Sequence, residues 1–348
     1  MKILKKIPNS LLFIFTLLQS VNTLIYGQNI GGAATYNFLN LPNSPLQTAL
    51  GGTVVALLQA DANLANSNPA LLQAKDVNKL NTNIAVLYGG ATMLNANYTT
   101  TNKPLQATIN TGINYLTYGT TTATDAAGNI LNTFTAKDYS IQVAIAKTYL
   151  QRWQYGITTK LIGSNYNQYN SYALAFDVGA TYTDTTNELQ CGVVFKNMGF
   201  QLNKYATNKE QLPLNFQLGI SKKLANAPLQ FIFTATNLQQ FDIAYNDTDF
   251  NTSIDVNSKI NTVQKIFLHT LFGLQVLPTK NVAITIAYNY LRQKELKLYN
   301  ISNKLTGLSF GATLHNKKYT FNLAKAFYTN NKAYTQLGLG INFNELHK

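Results

Sequence analysis

Sulfur and charge are scarce in this chain. Its 348 residues include one cysteine, three histidines, one tryptophan and eight prolines, and only 12% are Asp, Glu, Lys or Arg, about half the usual charged share. A single cysteine, Cys191, lying deep in the chain excludes both an internal disulfide and a lipid-anchored amino terminus. His269, His315 and His347 have no cysteine or acidic companion at ligand spacing, so no metal or cofactor site is expected. No serine, histidine and orienting group stand together, so no catalytic residue is assigned and the chain does not read as an enzyme. Acidic residues are also few: the net charge is +13, of which Lys2, Lys5 and Lys6 supply three, leaving +10 on the rest. The lysines are scattered without a basic, aromatic-interleaved stripe, which argues against nucleic acid. They suit strand ends facing anionic outer-membrane lipid, or an acidic partner.

What the chain does have is tyrosine (21) and phenylalanine (18), and a strict period of two. Val282, Ile284, Ile286, Tyr288 and Tyr290 alternate with Asn281, Ala283, Thr285, Ala287 and Asn289. Such alternation makes a strand with one apolar face and one polar or small face. The same device recurs in Tyr139, Ile141, Val143, Ile145; in Trp153, Tyr155, Ile157; in Tyr172, Leu174, Phe176, Val178; and in Leu308, Phe310, Ala312, Leu314. Cys191 belongs to one such row with Leu189, Val193 and Phe195.

The alternation predicts strands at 81–90, 91–100, 105–118, 138–149, 152–165, 170–183, 188–197, 212–224, 228–240, 264–277, 280–292, 305–315, 317–328 and 333–345. Fourteen is an even number, as single-chain bacterial barrels require, and about eleven tilted residues cross the apolar band of an outer membrane. The predicted fold is therefore all-β: a 14-stranded antiparallel transmembrane β-barrel over residues 79–348. Connections near 101–104, 150–151, 184–187, 225–227, 278–280 and 316–317 are short, as periplasmic turns are. Those near 119–137, 198–211, 241–263 and 293–304 are long, and 166–169 and 329–332 are intermediate. The first hairpin, turning at Gly89-Gly90, is the exception. Loops 119–137 and 241–263 are the largest external features and the candidate partner-binding loops.

Ahead of the strands, residues 1–27 read as a cleaved signal peptide for export to the outer membrane: a lysine-bearing start, an apolar run over 11–18, and Gly27 for cleavage. A spanning anchor would need roughly twenty apolar residues, and Gln19, Asn22 and Thr23 interrupt this run. Residues 28–78 do not alternate. Ser44-Pro45 begins and Gly51 ends a predicted short helix, and Asn68-Pro69-Ala70-Leu71-Leu72 repeats that logic. The segment is expected to be an N-terminal plug or hatch inside the barrel, the alternative being a loose periplasmic arm. Asp61 and Asn68-Pro69 are assigned to capping and turning its backbone.

Gly31-Gly32-Ala33-Ala34-Thr35-Tyr36-Asn37-Phe38-Leu39-Asn40-Leu41-Pro42, then Ala49-Leu50-Gly51-Gly52, Asp61 and Asn68 to Leu72, resemble the amino-terminal signature of the PorQ family. Lys196-Asn197-Met198-Gly199 and residues 212–243 resemble that family's internal block, so the likeness covers nearly the whole mature chain. Asp61 with Asn-Pro-Ala-Leu alone is shared with the wider family of FadL-like transporters and with PorV. The resemblance implies a FadL-like barrel with a hatch, serving the type IX secretion system of Bacteroidetes. It implies a surface partner, PorZ, and an attachment complex with PorU and PorV that processes cargo and joins it to the cell surface. The alternative is a FadL-like channel for hydrophobic small molecules, which predicts an apolar tunnel past the hatch and a lateral opening.

Three local expectations complete the reading. Asp247, Asp249 and Asn251 imitate the start of a calcium loop, but Thr252 and Ser258 stand where glycine and glutamate are needed. Lys325 interrupts the apolar row Tyr319, Phe321, Leu323, Phe327 and marks either snorkelling or a register shift. Ile286→Arg is expected to destabilise the barrel far more than Thr285→Arg.

Overall fold

In the computed structural model the chain is described over residues 34–205, 209–243, 261–296, 305–329 and 332–346. The signal-peptide reading of 1–27, the calcium-loop imitation, most of loop 241–263 and His347 lie outside these residues. Fourteen antiparallel strands form one closed barrel, each bonded to its sequence neighbours, and β1 closes on β14. They are β1 (Lys79–Val86), β2 (Thr92–Asn102), β3 (Ala107–Thr124), β4 (Ile130–Tyr149), β5 (Trp153–Tyr166), β6 (Tyr169–Asp184) and β7 (Leu189–Asn203). The second half is β8 (Asn215–Lys223), β9 (Leu229–Ala235), β10 (Thr270–Thr279), β11 (Val282–Asn289), β12 (Leu308–His315), β13 (Tyr319–Thr329) and β14 (Lys332–Asn342).

The period of two sorts the side chains as expected. In β11, Ile284 and Ile286 are 45% and 40% exposed on the outer face, whereas Thr285 and Ala287 are each 2% exposed inside. In β8, Leu218 and Ile220 face out while Gln217 and Ser221 are buried. No helix among the described residues is long and apolar enough to cross a membrane. Lys325 stays in the outward row, and the register of β13 on β14 runs unbroken from Tyr319 to Phe327, so there is no shift at the lysine. Its Nζ lies 5.6 Å over the Phe327 ring.

The expected boundaries fail where polar residues carry structure. Most of the predicted loop 119–137 is a taller hairpin, because β3 runs on to Thr124 and β4 begins at Ile130. Threonines 120, 121, 122 and 124 form strand without an apolar face, being β-branched. Asp125 closes the hairpin by accepting from the backbone of Ala127 and Asn129 at 2.9 and 2.8 Å. Elsewhere the predicted strands are too long. The 264–277 stretch opens with a helix, α2 (Thr262–Leu268), which Asn261 and Gln264 cap reciprocally. The 280–292 stretch ends in α3 (Tyr290–Glu295), capped by Asn289. The 228–240 stretch keeps strand only to Ala235, and 81–90 turns after Val86 through Gly89 and Gly90, both at positive φ.

Candidate functional site

Inside the barrel, residues 34–78 thread the lumen from one end to the other. Ala34 bridges to Gln211, and the Tyr36 hydroxyl meets Ser171 near the start of β6, both at the long-loop end. Asp76 and Lys79 pair at 3.1 Å at the foot of β1, at the short-turn end. The plug thus occupies the lumen and is not a loose arm.

Its local structure follows the capping signals. Helix α1 (Pro45–Ala49) starts at Ser44, whose Oγ accepts from Gln47 N at 3.3 Å, and ends before Gly51 at φ 91°. Asp61 accepts from Asn63 N and Asn68 from Ala70 N, each at 3.0 Å, starting tight turns at Ala62–Asn66 and Pro69–Leu71. These turns aim Leu46, Leu50, Val54, Leu57, Leu64 and Leu71 at one another and at Ile232 of β9, a core the hatch makes for itself.

Two different surfaces of the barrel hold this segment. On β5 to β8 the contact is steric. Gly156, Gly179, Gly192 and Gly219 each present a bare backbone to the hatch, and the pairs Gly156–Gly179 and Gly192–Gly219 are cross-strand partners. A Cβ on Gly156 would stand 2.7 Å from the Pro69 carbonyl carbon, and one on Gly179 would stand 1.9 Å from Asn68 Oδ1. On Gly192 it would lie 2.6 Å from Val55 O, and on Gly219 2.8 Å from Val55 Cβ. Only glycine admits the hatch this closely.

On β1 to β3 the contact is a web of amides. Asn83 and Asn97 both donate to Asn63 Oδ1 of the hatch, at 2.9 and 3.0 Å. Behind them Asn83 donates to Asn95, Asn95 to Asn114 and Asn110 to Asn97, at 2.8, 2.6 and 3.1 Å. Buried amides stabilise to the extent that their atoms are paired, and in this web Asn83 Oδ1 has no partner among the described residues. Further ties come from Gln336 to Thr48 (2.5 Å), Gln190 to Leu57 N (2.7 Å), Gln217 to Thr53 (3.0 Å) and Tyr334 to Pro42 O (3.0 Å). Arg292 of α3 donates to Gly51 O at 2.5 Å and to Ser309 at 2.9 Å, and stacks 4.4 Å over Tyr328. A guanidinium here meets the carbonyls at the end of α1 and the negative end of its dipole.

The Lys196-Asn197 dipeptide marks a break in the wall. Asn197 sits at φ 58° on a bulge of β7 against β6, and its N–H donates to Asp177 at 2.8 Å. Lys160 pairs with Asp177 (2.6 Å) and donates to Asn197 (2.9 Å), so the two charges are buried together. Asn197 Nδ2 donates to Pro213 O at 3.0 Å, and β8 pairs with β7 only from Lys196 downward. In the strand ladder Met198 to Asn203 therefore pair with β6 alone, while on the other side Gln201 accepts from Glu210 N at 2.8 Å.

Cavities lie at both ends of the hatch. At the short-turn end about 610 Å³ is lined by Asp61, Asp76, Lys75, Lys79, Lys280 and Lys318 among others. Burial, then the neighbouring Asp76, push the Asp61 carboxyl up to about 6 although the residue is only half-buried. Burial also raises Asp76 and lowers Lys75. At the long-loop end about 420 Å³ is lined by tyrosines and two carboxylates.

The residues singled out from sequence alone divide clearly. Asp61, Asn68 and Pro69 all lie in the hatch, where Asp61 and Asn68 cap separate turns. His269 is structural, with Nδ1 2.8 Å from Thr236 O and Nε2 3.1 Å from Phe241 O, and His315 pairs with Thr320 at 2.7 Å. No three His, Cys, Asp or Glu side chains converge on a metal-sized point among the described residues. Cys191 is a free thiol on the outward row of β7. The asparagine web and the glycine seats were not anticipated. The signal that would have found them is the asparagine at alternate positions 81, 83, 95 and 97, and one inward glycine in each of four successive strands.

No known family's profile matches the chain, and no curated protein sequence does. Among solved structures it is similar to the TodX monoaromatic hydrocarbon channel in its deltaS2 mutant form, at 12% identity and a TM-score of 0.53, covering 87% of this chain and 98% of that one. It is also similar to the Pseudomonas putida toluene transporter TodX, at 11% identity and a TM-score of 0.51, covering 86% and 97%. At that identity the likeness is one of fold: a closed, FadL-like outer-membrane barrel.

Proposed function

We propose that this barrel is a membrane-embedded anchor of a type IX attachment complex, holding a PorZ-like surface protein at the outer membrane. The observation that carries the reading is the hatch. A lumen filled by a segment that is hydrogen-bonded to the wall and seated on bare glycine backbone leaves the outer rim as the working surface. The sequence resemblance supports it independently, since its blocks fall on the hatch and on the β7 bulge with the following strands.

A second reading is a channel for hydrophobic small molecules, and the likeness in fold to TodX leans this way. The specific observation in its favour is the end of the β7–β8 ladder at Lys196, beyond which a lateral opening would lie. Against it stands the amide-lined lumen on β1 to β3, which offers an apolar solute no partner for the hydrogen bonds it displaces. Gentle detergent extraction separates the two. A surface protein copurifying in fixed ratio is the result expected of an anchor; bound lipid or hydrocarbon with no protein partner would overturn it in favour of the channel.

A further inference from the structure

We propose that the cavity at the long-loop end is a binding site for an organic ammonium group. This goes beyond the anchor and channel readings and rests on neither. The cavity of about 420 Å³ is walled by Tyr36, Tyr118, Tyr166 and Tyr205, with Asp138 and Glu210 as its charged residues and no lysine or arginine lining it among the described residues. Tyr118 and Tyr166 stand 5.9 Å apart at 41°, Tyr166 and Tyr205 5.9 Å apart at 51°, and Tyr36 and Tyr205 6.1 Å apart at 36°. The rings are tilted around a common space and not stacked face to face.

Asp138 sets the chemistry. It is 2% exposed and accepts from the hydroxyls of Tyr118 at 2.6 Å, Tyr166 at 2.8 Å and Ser164. Those bonds fix the carboxylate and the two tyrosine hydroxyls in place, and both rings line the cavity. Several electron-rich faces around a negative group suit a cation too large and too weakly hydrated to be a metal ion, such as a methylated or primary alkylammonium. A neutral solute would gain the apolar contact but not the field of two carboxylates.

The site is built jointly by hatch and barrel. Tyr36 belongs to the hatch, sits at φ 57° and bonds Ser171 of β6 through its hydroxyl. An occupant would therefore touch the first turn of the hatch as well as the wall.

The test is calorimetric titration of the detergent-solubilised full barrel with choline, with Nα-acetyl-lysine amide, and with 3,3-dimethyl-1-butanol as the uncharged counterpart of choline. Saturable binding of either cation, with none of the alcohol, is expected; the tighter cation tells a small methylammonium solute from a protein side chain. Asp138→Asn should weaken binding about tenfold and Tyr205→Leu about fivefold. Glu210 is exposed, and Glu210→Gln should weaken binding about threefold, which keeps the proposal testable if Asp138→Asn fails to fold. Equal binding of the alcohol, unchanged affinity in Glu210→Gln and Tyr205→Leu, or no saturable binding of either cation would overturn the assignment.

Discussion

The two sides of the lumen hold the same hatch by opposite means. On β5 to β8 the barrel removes side chains, so that Pro69 and Val55 rest against backbone; on β1 to β3 it adds amides, so that Asn63 is gripped by hydrogen bonds. A glycine seat is all shape: it tolerates the loss of a polar group and fails on the addition of one carbon. An amide web is all valence: it tolerates small shifts and fails on the loss of one acceptor. The difference teaches that the hatch is positioned sterically on one flank and electrostatically on the other.

Mutations can break or sharpen that contrast. The largest effect sets the scale and concerns the wall itself: Ile286→Arg puts a charge into the lipid-facing row and should destabilise the inserted barrel by about 2–4 kcal/mol in reversible unfolding from lipid. Thr285 is not the right inward control, since the hatch and strands leave it 2% exposed. Thr313, which lines the short-turn cavity, should accept arginine with a much smaller loss. Equal losses at Ile286 and Thr313 would reverse the face assignment.

On the steric flank, Gly156→Val should lower stability by about 1–3 kcal/mol and expose residues 68–72 to protease while the barrel stays folded. On the polar flank, Asn63→Ala strands two donors and should lower stability by about 1–3 kcal/mol without freeing 68–72. Identical protease patterns in the two variants would erase the distinction between the flanks.

The smallest effect is a pH dependence. Asp61 titrates near 6 in the folded protein and near 4 in an unfolded chain. Between those values the folded state holds more protons at this carboxyl, so its contribution to stability is fully present below about 4 and is lost as pH rises through 6. Asp61→Asn should flatten that slope, measured by denaturant unfolding at intervals across the window. An unchanged slope would show that another group carries it.

The fold was legible because lipid imposes a period of two on every strand, and rows such as Val282 to Tyr290 obey it. The capping logic of Ser44, Asp61 and Asn68 was equally readable, because a cap is decided within four residues. Hairpin height was not: Thr120 to Thr124 make strand above the apolar band, where nothing demands alternation. Nor was the site. Gly156 and Gly179 matter only through what Asn68 and Pro69 place against them from more than eighty residues away, and Asp138 meets Tyr118 and Tyr166 only once three strands are in register.

The path of residues 34–78 also ties the bore to the seam. The segment runs from the long-loop end to the foot of β1, where it becomes the strand that closes on β14. Closure of the cylinder and placement of its filling therefore meet at one strand, so a change at the foot of β1 acts on both.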